Sequence, residues 1–169
     1  MIRLFALDVD GVLTDGTLHY GADGEVLKAF NAKDGLGLSL LMKAGVHVAV
    51  ISGRSSPALL RRLDDLGIRH HRLGTTAKNA ALEDVCACLD LGFEDCAFMG
   101  DDLVDLDVMR AVAYAMAPSD AVSDVKAMAD FVTDLPGGRG AVREAAEHIA
   151  ARNGLTLADF ASDARRVSQ

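Results

Sequence analysis

The fold is decided by residues 2–16, which read IRLFALDVDGVLTDG. The apolar run at 2–7 has the length and composition of a buried β-strand, and it ends at two aspartates. Asp8 and Asp10 stand two residues apart, so in an extended segment their side chains point to the same side. Two carboxylates can then face one pocket, although Asp10 and Gly11 also fit a simple Asx-type turn.

Predicted strands and helices alternate along the rest of the chain. A β-hairpin with a Gly/Asp turn is predicted over 17–30. Strands are predicted at 46–51, 68–73, 96–99, 113–117 and 131–133, and helices at 36–44, 55–66, 77–89, 103–112, 122–128 and 141–152. This alternation predicts an α/β fold, a Rossmann-like doubly wound parallel sheet with helices on both faces and a protruding hairpin.

The composition is typical of one globular domain. Of 169 residues, 50% are hydrophobic and 25% are charged, with a formal net charge of −8. No apolar stretch approaches the roughly 20 residues of a membrane span, and the first residues are too few for a signal peptide. We therefore expect a cytoplasmic protein that binds neither membrane nor, lacking a basic stripe, nucleic acid. We expect a single domain over 1–152 and a polar tail over 153–169.

Polar clusters follow four predicted strands, and a parallel sheet gathers such strand ends at one edge. Asp101 and Asp102 follow the strand at 96–99 and offer the oxygen ligands that Mg²⁺ prefers. Asp102 and Asp105 also fit the cap of the next helix, and for Asp105 we favour that role or a supporting one.

The other two clusters are suited to phosphate. Ser52 and Gly53 can donate hydrogen bonds to a phosphate at a helix N-terminus, or can form an ordinary turn between strand and helix. Lys78 can balance the acids and a transferring phosphoryl group, although a lysine at the start of a helix is usually a solvated surface residue.

In chain order, these clusters resemble the motifs of the haloacid dehalogenase superfamily: DVDGVLTDG at 8–16, SGR at 52–54, Lys78, and GDDLVD at 100–105. The resemblance implies that Asp8 is a nucleophile and Asp10 a general acid and base. It implies that Mg²⁺ is held by Asp8, the backbone carbonyl of Asp10 and Asp101, with Asp102 supporting its waters. It also implies that the phosphoryl group is held by Ser52, Gly53 and Lys78.

Further motifs are similar to the 3-deoxy-D-manno-octulosonate 8-phosphate (KDO 8-phosphate) phosphatase family: FNAKDG at 30–35, ISGR at 51–54, Arg62, and GGRGAVRE at 137–144. This similarity covers about residues 4–150. It implies a phosphatase of lipopolysaccharide sugar biosynthesis, without a cap domain, that forms a homotetramer through hairpins such as 17–30.

The same resemblance makes Asn31, Arg54, Arg62 and Arg139 candidates to bind the sugar acid, because arginine pairs bidentately with carboxylates. Other roles stay open for some of these residues. Asn31 and Asp34 can instead cap the following helix, and Arg62 can belong to a solvated helix face.

Two alternative functions remain. A phosphatase for nine-carbon keto sugar acid 9-phosphates, of the sialic-acid type, would have a similar site, but related enzymes of that kind tend to carry glutamate at the position of Arg54. A non-catalytic assembly module would be expected to lack Asp8, Asp10 or Lys78, and all three are present.

Overall fold

A six-stranded parallel sheet lies at the centre of the computed structural model, which describes residues 1–161. In chain order the strands are β1 (Leu4–Leu7), β2 (His19–Gly21), β3 (Gly24–Leu27), β4 (His47–Ser52), β5 (His70–Leu73), β6 (Cys96–Met99), β7 (Tyr114–Ala117) and β8 (Phe131–Val132). The central sheet has the order β5-β4-β1-β6-β7-β8, and β2 and β3 form a separate antiparallel hairpin. The sheet therefore winds outward in both directions from β1, as the alternation predicts.

Six α-helices cover the two faces of this sheet. They are α1 (Ala32–Lys43), α2 (Pro57–Leu66), α3 (Lys78–Leu89), α4 (Leu106–Ala111), α5 (Ser123–Met128) and α6 (Ala141–Arg152). Because β1 is buried on both sides, its residues alternate between two apolar layers. Phe5 and Leu7 pack with α1, α2 and α6, whereas Leu4 and Ala6 pack with α3, α4 and α5.

Helix α1 begins at Ala32, four residues before the predicted start at residue 36. The apolar periodicity begins only at Leu36, but Asn31 caps the helix by accepting a hydrogen bond from the Lys33 N–H at 2.8 Å. The predicted helix at 103–112 is likewise divided, into a 3₁₀ turn at Leu103–Asp105 and α4.

Asp34 is fully buried inside α1 and caps a different helix from the one predicted. Its two carboxylate oxygens accept hydrogen bonds from the backbone N–H groups of Arg143 (2.8 Å) and Gly140 (3.2 Å) at the start of α6. The expectation that Asp34 caps the following helix is therefore wrong, because the contact joins two elements more than 100 residues apart in sequence.

The first part of the predicted polar tail packs against the domain. Asn153 accepts a hydrogen bond from the Ile2 N–H at 3.0 Å, and its own amide donates to the Ile2 carbonyl at 2.7 Å. Leu157 is buried, and Leu155 and Phe160 pack on the same apolar layer. Residues 162–169 lie outside the described residues.

The insertion after β1 consists of the hairpin alone, and no cap domain is present in residues 1–161. None of the helices in that range has the length and apolar character needed to cross a membrane.

Candidate active site

A pocket of about 400 Å³ opens at the carboxyl edge of the sheet, beside β1, β4 and β6. This is where an open parallel sheet generally binds its ligands. Most of the site residues predicted from the sequence line it, namely Asp8, Asp10, Ser52, Gly53, Arg54, Lys78, Asp101 and Asp102.

The floor of the pocket is a buried ion cluster around Lys78. The Lys78 ammonium lies 2.6 Å from Oδ2 of Asp8 and 2.5 Å from Oδ1 of Asp105. Asp105 is fully buried, and its other oxygen accepts hydrogen bonds from the N–H groups of Asp101 (3.0 Å) and Asp102 (3.3 Å). Asp105 therefore both caps the turn that follows β6 and neutralises Lys78.

The pKa shifts of Asp8, Asp101 and Lys78 arise first from burial and then from the charges of their neighbours. Burial raises the pKa of Asp8 more than the nearby Lys78 ammonium lowers it, and the Asp105 carboxylate raises it further. Burial, with the carboxylates of Asp105 and Asp8, raises the pKa of Asp101 to about 8. Burial lowers the pKa of Lys78, but Asp8 and Asp105 outweigh this effect, so its pKa is raised and it stays charged.

The cluster fits a divalent cation such as Mg²⁺. Oxygens of Asp8, Asp101 and Asp105 all lie within 4.8 Å of one another, and carboxylate oxygens are the ligands that hard cations prefer. Three carboxylates face one ammonium, so two negative charges remain unbalanced when all are ionised.

This trio shares Asp8 and Asp101 with the predicted metal set and adds the Asp105 carboxylate. The predicted ligand from the Asp10 backbone carbonyl and the predicted support of bound waters by Asp102 stay predictions. Asp102 lines the pocket, but its carboxylate accepts a hydrogen bond from the Leu103 N–H at 2.7 Å and caps the turn.

A second charged cluster surrounds Asp10. Oδ1 of Asp10 accepts a hydrogen bond from Lys28, the residue directly after β3. The Lys28 ammonium also lies 2.9 Å from Glu25 on β3. On the other side of Asp10, the Nε of Arg54 lies 3.8 Å from Oδ2, and the Arg54 guanidinium donates to the Tyr20 hydroxyl at 2.9 Å. The hairpin therefore contributes residues to the immediate surroundings of Asp10.

Lys28 was not predicted as part of the site. A charged residue within the apolar run VLKAF at 26–30, three residues after Glu25, is a signal that could have indicated a buried ion pair. Burial lowers the pKa of Lys28, but the hydrogen bond to Asp10 and the nearby carboxylate of Glu25 outweigh burial and raise it overall.

Three predicted substrate-binding residues lie outside the pocket of this single chain. Asn31 caps α1. The Arg62 guanidinium lies over the Phe30 ring, 5.9 Å from its centroid, and Arg139 lies 3.5 Å from the Asp15 carboxylate. As substrate contacts, these three residues stay predictions.

Two comparisons by sequence identify the family. A family model described as haloacid dehalogenase-like hydrolase matches residues 73–142. The 3-deoxy-D-manno-octulosonate 8-phosphate phosphatase of Haemophilus influenzae is 46% identical over 148 residues, which are 88% of this chain and 82% of that protein. The chain belongs to the KDO 8-phosphate phosphatase family.

Solved structures of KDO 8-phosphate phosphatases have the same fold. The cobalt-bound form of the H. influenzae phosphatase is 45% identical, with a TM-score of 0.88 and coverage of 90% of both chains. The Moraxella catarrhalis phosphatase, in complex with magnesium, phosphate and KDO, is 41% identical, with a TM-score of 0.85 and coverage of 89% of this chain and 86% of that one. The family and fold predicted from the motifs are therefore confirmed.

Proposed function

We propose that this chain is a magnesium-dependent phosphatase that releases phosphate from KDO 8-phosphate in the synthesis of a lipopolysaccharide sugar. One observation carries the proposal. Asp8, paired with Lys78 and close to two further carboxylates, lies on the floor of a pocket that Asp10 also lines. This combination supplies a nucleophile, a proton carrier and a place for a cation within one cavity.

In the first step, a carboxylate oxygen of Asp8 attacks phosphorus, and the bond from phosphorus to the sugar oxygen breaks. Asp10 gives its proton to the departing sugar oxygen, which leaves an aspartyl-phosphate on Asp8. The nearby Lys78 ammonium favours the ionised form of Asp8, which is the form that attacks.

In the second step, Asp10 takes a proton from water, and the water oxygen attacks the same phosphorus. The bond between phosphorus and Asp8 breaks, so phosphate leaves and both aspartates return to their starting states. Ser52, Gly53 and Lys78 donate hydrogen bonds to the phosphoryl oxygens. Mg²⁺ would be held by Asp8, Asp101 and the Asp10 carbonyl, with Asp102 supporting its waters, while Asp105 would stay paired with Lys78. The ion would supply the positive charge that lets a carboxylate approach an anionic phosphoryl group.

Selectivity for a sugar acid is proposed to begin with Arg54. Its side chain lines the pocket and is 47% exposed, and its guanidinium has further N–H donors besides the one that binds Tyr20, so it can pair with the substrate carboxylate. Asn31, Arg62 and Arg139 remain proposed contacts with the sugar acid.

We also propose a cytoplasmic homotetramer associated through the hairpin. A lone two-stranded hairpin is marginally stable, and this one exposes the apolar side chains of Leu18, Tyr20, Val26 and Leu27.

The function is tested by measuring phosphate release from two substrates, KDO 8-phosphate and a nine-carbon keto sugar acid 9-phosphate. Each substrate is assayed with and without a chelator. We expect faster, chelator-sensitive release from the eight-carbon substrate, abolished by Asp8→Asn but not by the exposed control Asp159→Asn. A preference for the nine-carbon substrate would reverse the substrate assignment. Activity that survives Asp8→Asn would exclude the aspartyl-phosphate route, and no release from any ester would favour a non-catalytic module.

A further inference from the structure

We propose that Lys28 is a positioning residue for Asp10: it holds Oδ1 of that carboxylate so that Oδ2 faces the leaving group. The inference rests on the proposed function, in which Asp10 carries the proton to and from the reacting atoms. It adds to the proposed active site a residue that lies outside the four sequence motifs around Asp8, Ser52, Lys78 and Asp101.

The location of Lys28 separates it from the substrate. Only 2% of its side chain is exposed, and it does not line the pocket in which Asp8 and Asp10 meet. Its ammonium donates a hydrogen bond to Oδ1 of Asp10 and lies 2.9 Å from the Glu25 carboxylate. Lys28 can therefore act on the reaction through Asp10, and has no direct access to a bound ester.

The Lys28 ammonium is buried between the carboxylates of Asp10 and Glu25, and this pairing indicates that the Asp10 side chain has a fixed orientation. Burying a lysine is costly unless its charge is paired and hydrogen-bonded, and Asp10 and Glu25 provide this pairing. A short aspartate side chain held at one oxygen keeps little freedom, so its second oxygen has a defined direction. Arg54 is 3.8 Å from that second oxygen, beyond hydrogen-bond distance, which leaves Oδ2 available for a proton transfer.

A misplaced Asp10 would slow the reaction in a way that depends on the leaving group. A basic alkoxide or phenolate needs a proton as its bond to phosphorus breaks, whereas p-nitrophenolate leaves without one. The value of kcat/KM reports the steps up to the formation of the aspartyl-phosphate, so it is sensitive to proton donation and not to the later attack of water. Phenyl phosphate and p-nitrophenyl phosphate are close in size, and neither resembles a sugar acid.

The experiment measures kcat/KM for phenyl phosphate and p-nitrophenyl phosphate in the wild type, in Lys28→Met and in the exposed control Lys43→Met. We expect Lys28→Met to lose about 10- to 100-fold on phenyl phosphate, part of the usual contribution of general acid catalysis, and less than about 3-fold on p-nitrophenyl phosphate. Lys43→Met should match the wild type on both esters, and Lys28→Arg should restore part of the lost ratio.

Equal losses on both esters, or no loss on either, would overturn the positioning role. So would a loss on KDO 8-phosphate with an unchanged ratio between the two aryl esters, because that pattern indicates substrate binding. If Lys28→Met does not fold, Lys28→Gln, which keeps a hydrogen-bond donor, is judged by the same ratio. A wild type that hydrolyses no ester would instead refute the proposed function, so the two failures are distinguishable.

Discussion

A β-carbon added to Gly11 would lie 2.0 Å from Oδ2 of Asp101 and 2.5 Å from its Cγ. Gly11 also has a φ of +86°, in the left-handed region that favours glycine. The loop after β1 therefore passes so close to Asp101 that no side chain fits between them. The absence of a side chain at Gly11 therefore leaves the space that the Asp101 carboxylate occupies near Asp8 in the candidate metal cluster.

We expect Gly11→Ala to weaken Mg²⁺ binding and to lower phosphatase activity by at least about tenfold, because the new methyl group displaces Asp101. Activity measured over a range of Mg²⁺ concentrations gives both quantities. Gly67→Ala is the matched control, since Gly67 also has a positive φ, of +70°, but nothing lies within 4 Å of the added carbon. The control should lose stability, by about 1–2 kcal/mol, while keeping its affinity for Mg²⁺. Normal Mg²⁺ affinity in Gly11→Ala would contradict this interpretation.

Asp101→Asn should stabilise the metal-free protein at neutral pH and remove its response to Mg²⁺. The folded-state pKa of Asp101 is raised to about 8, so ionising this group costs stability above its unfolded pKa of about 3.9. The amide is neutral without taking up a proton on folding, so this cost is absent in the variant. Calorimetry in EDTA should show a higher Tm than the wild type, and excess MgCl₂ should raise the Tm of the wild type alone. A variant that is less stable in EDTA would contradict the proposed charge excess.

Lys78→Met should lower the free energy of unfolding by about 3 kcal/mol near pH 8, because it leaves the Asp8 and Asp105 carboxylates buried without their cation. The loss should shrink on acidification as Asp8, whose pKa is raised, takes up a proton. Urea denaturation at several pH values measures this dependence, and the exposed Lys43→Met variant provides the baseline. A loss that does not vary with pH would show that Lys78 contributes through packing and not through its charge.

His148 on α6 should make stability depend on pH. Its ring stacks on Phe131 at 3.8 Å between centroids, and its Nε2 lies 3.0 Å from the Tyr114 hydroxyl. Burial, and then the nearby Arg152, lower its pKa, while Glu144 opposes them. Because the pKa of His148 is lower in the folded protein, the unfolded chain takes up a proton at a higher pH than the folded protein does. The stability that this group contributes is therefore fully present above about pH 6.5 and is lost as the pH falls through the pKa of the folded state.

The direction of this pH dependence is tested by the free energy of unfolding of the wild type and of His148→Gln. Both proteins are measured at about pH 7.5 and about pH 5.5. We expect the wild type to lose more stability than the variant on acidification. An equal loss in both proteins would assign the acid sensitivity to other groups.

The local pattern of apolar and polar residues was sufficient to predict much of the fold. The apolar run before Asp8 and the alternation that follows predict the central strand and the winding of the sheet, because burial and side-chain periodicity act within a few residues. The strand ends at Asp8, Ser52 and Asp101 meet at one edge because parallel strands must align their carboxyl ends.

Contacts between distant elements were harder to predict. Nothing near Asp34 indicates that it caps a helix beginning at residue 141, and nothing near Asp105 indicates its pairing with Lys78. The sequence around Lys28 indicates a pairing with Glu25 but not with Asp10, which lies 18 residues away in the chain. These partners become neighbours only when the sheet and its helices pack, so local periodicity does not reveal them.

The position of β1 in the middle of the sheet has a consequence for synthesis on the ribosome. This strand is synthesised before both of its neighbours in the sheet, and one of them, β6, begins only at Cys96. A nascent chain that stops before that residue has Asp8 and Lys78 but neither Asp101 nor Asp105, and the exposed edge of β1 has no strand to pair with. Completion of the candidate cation cluster is therefore a late event in translation, and the unpaired edge is open to chaperones or to misassociation until then.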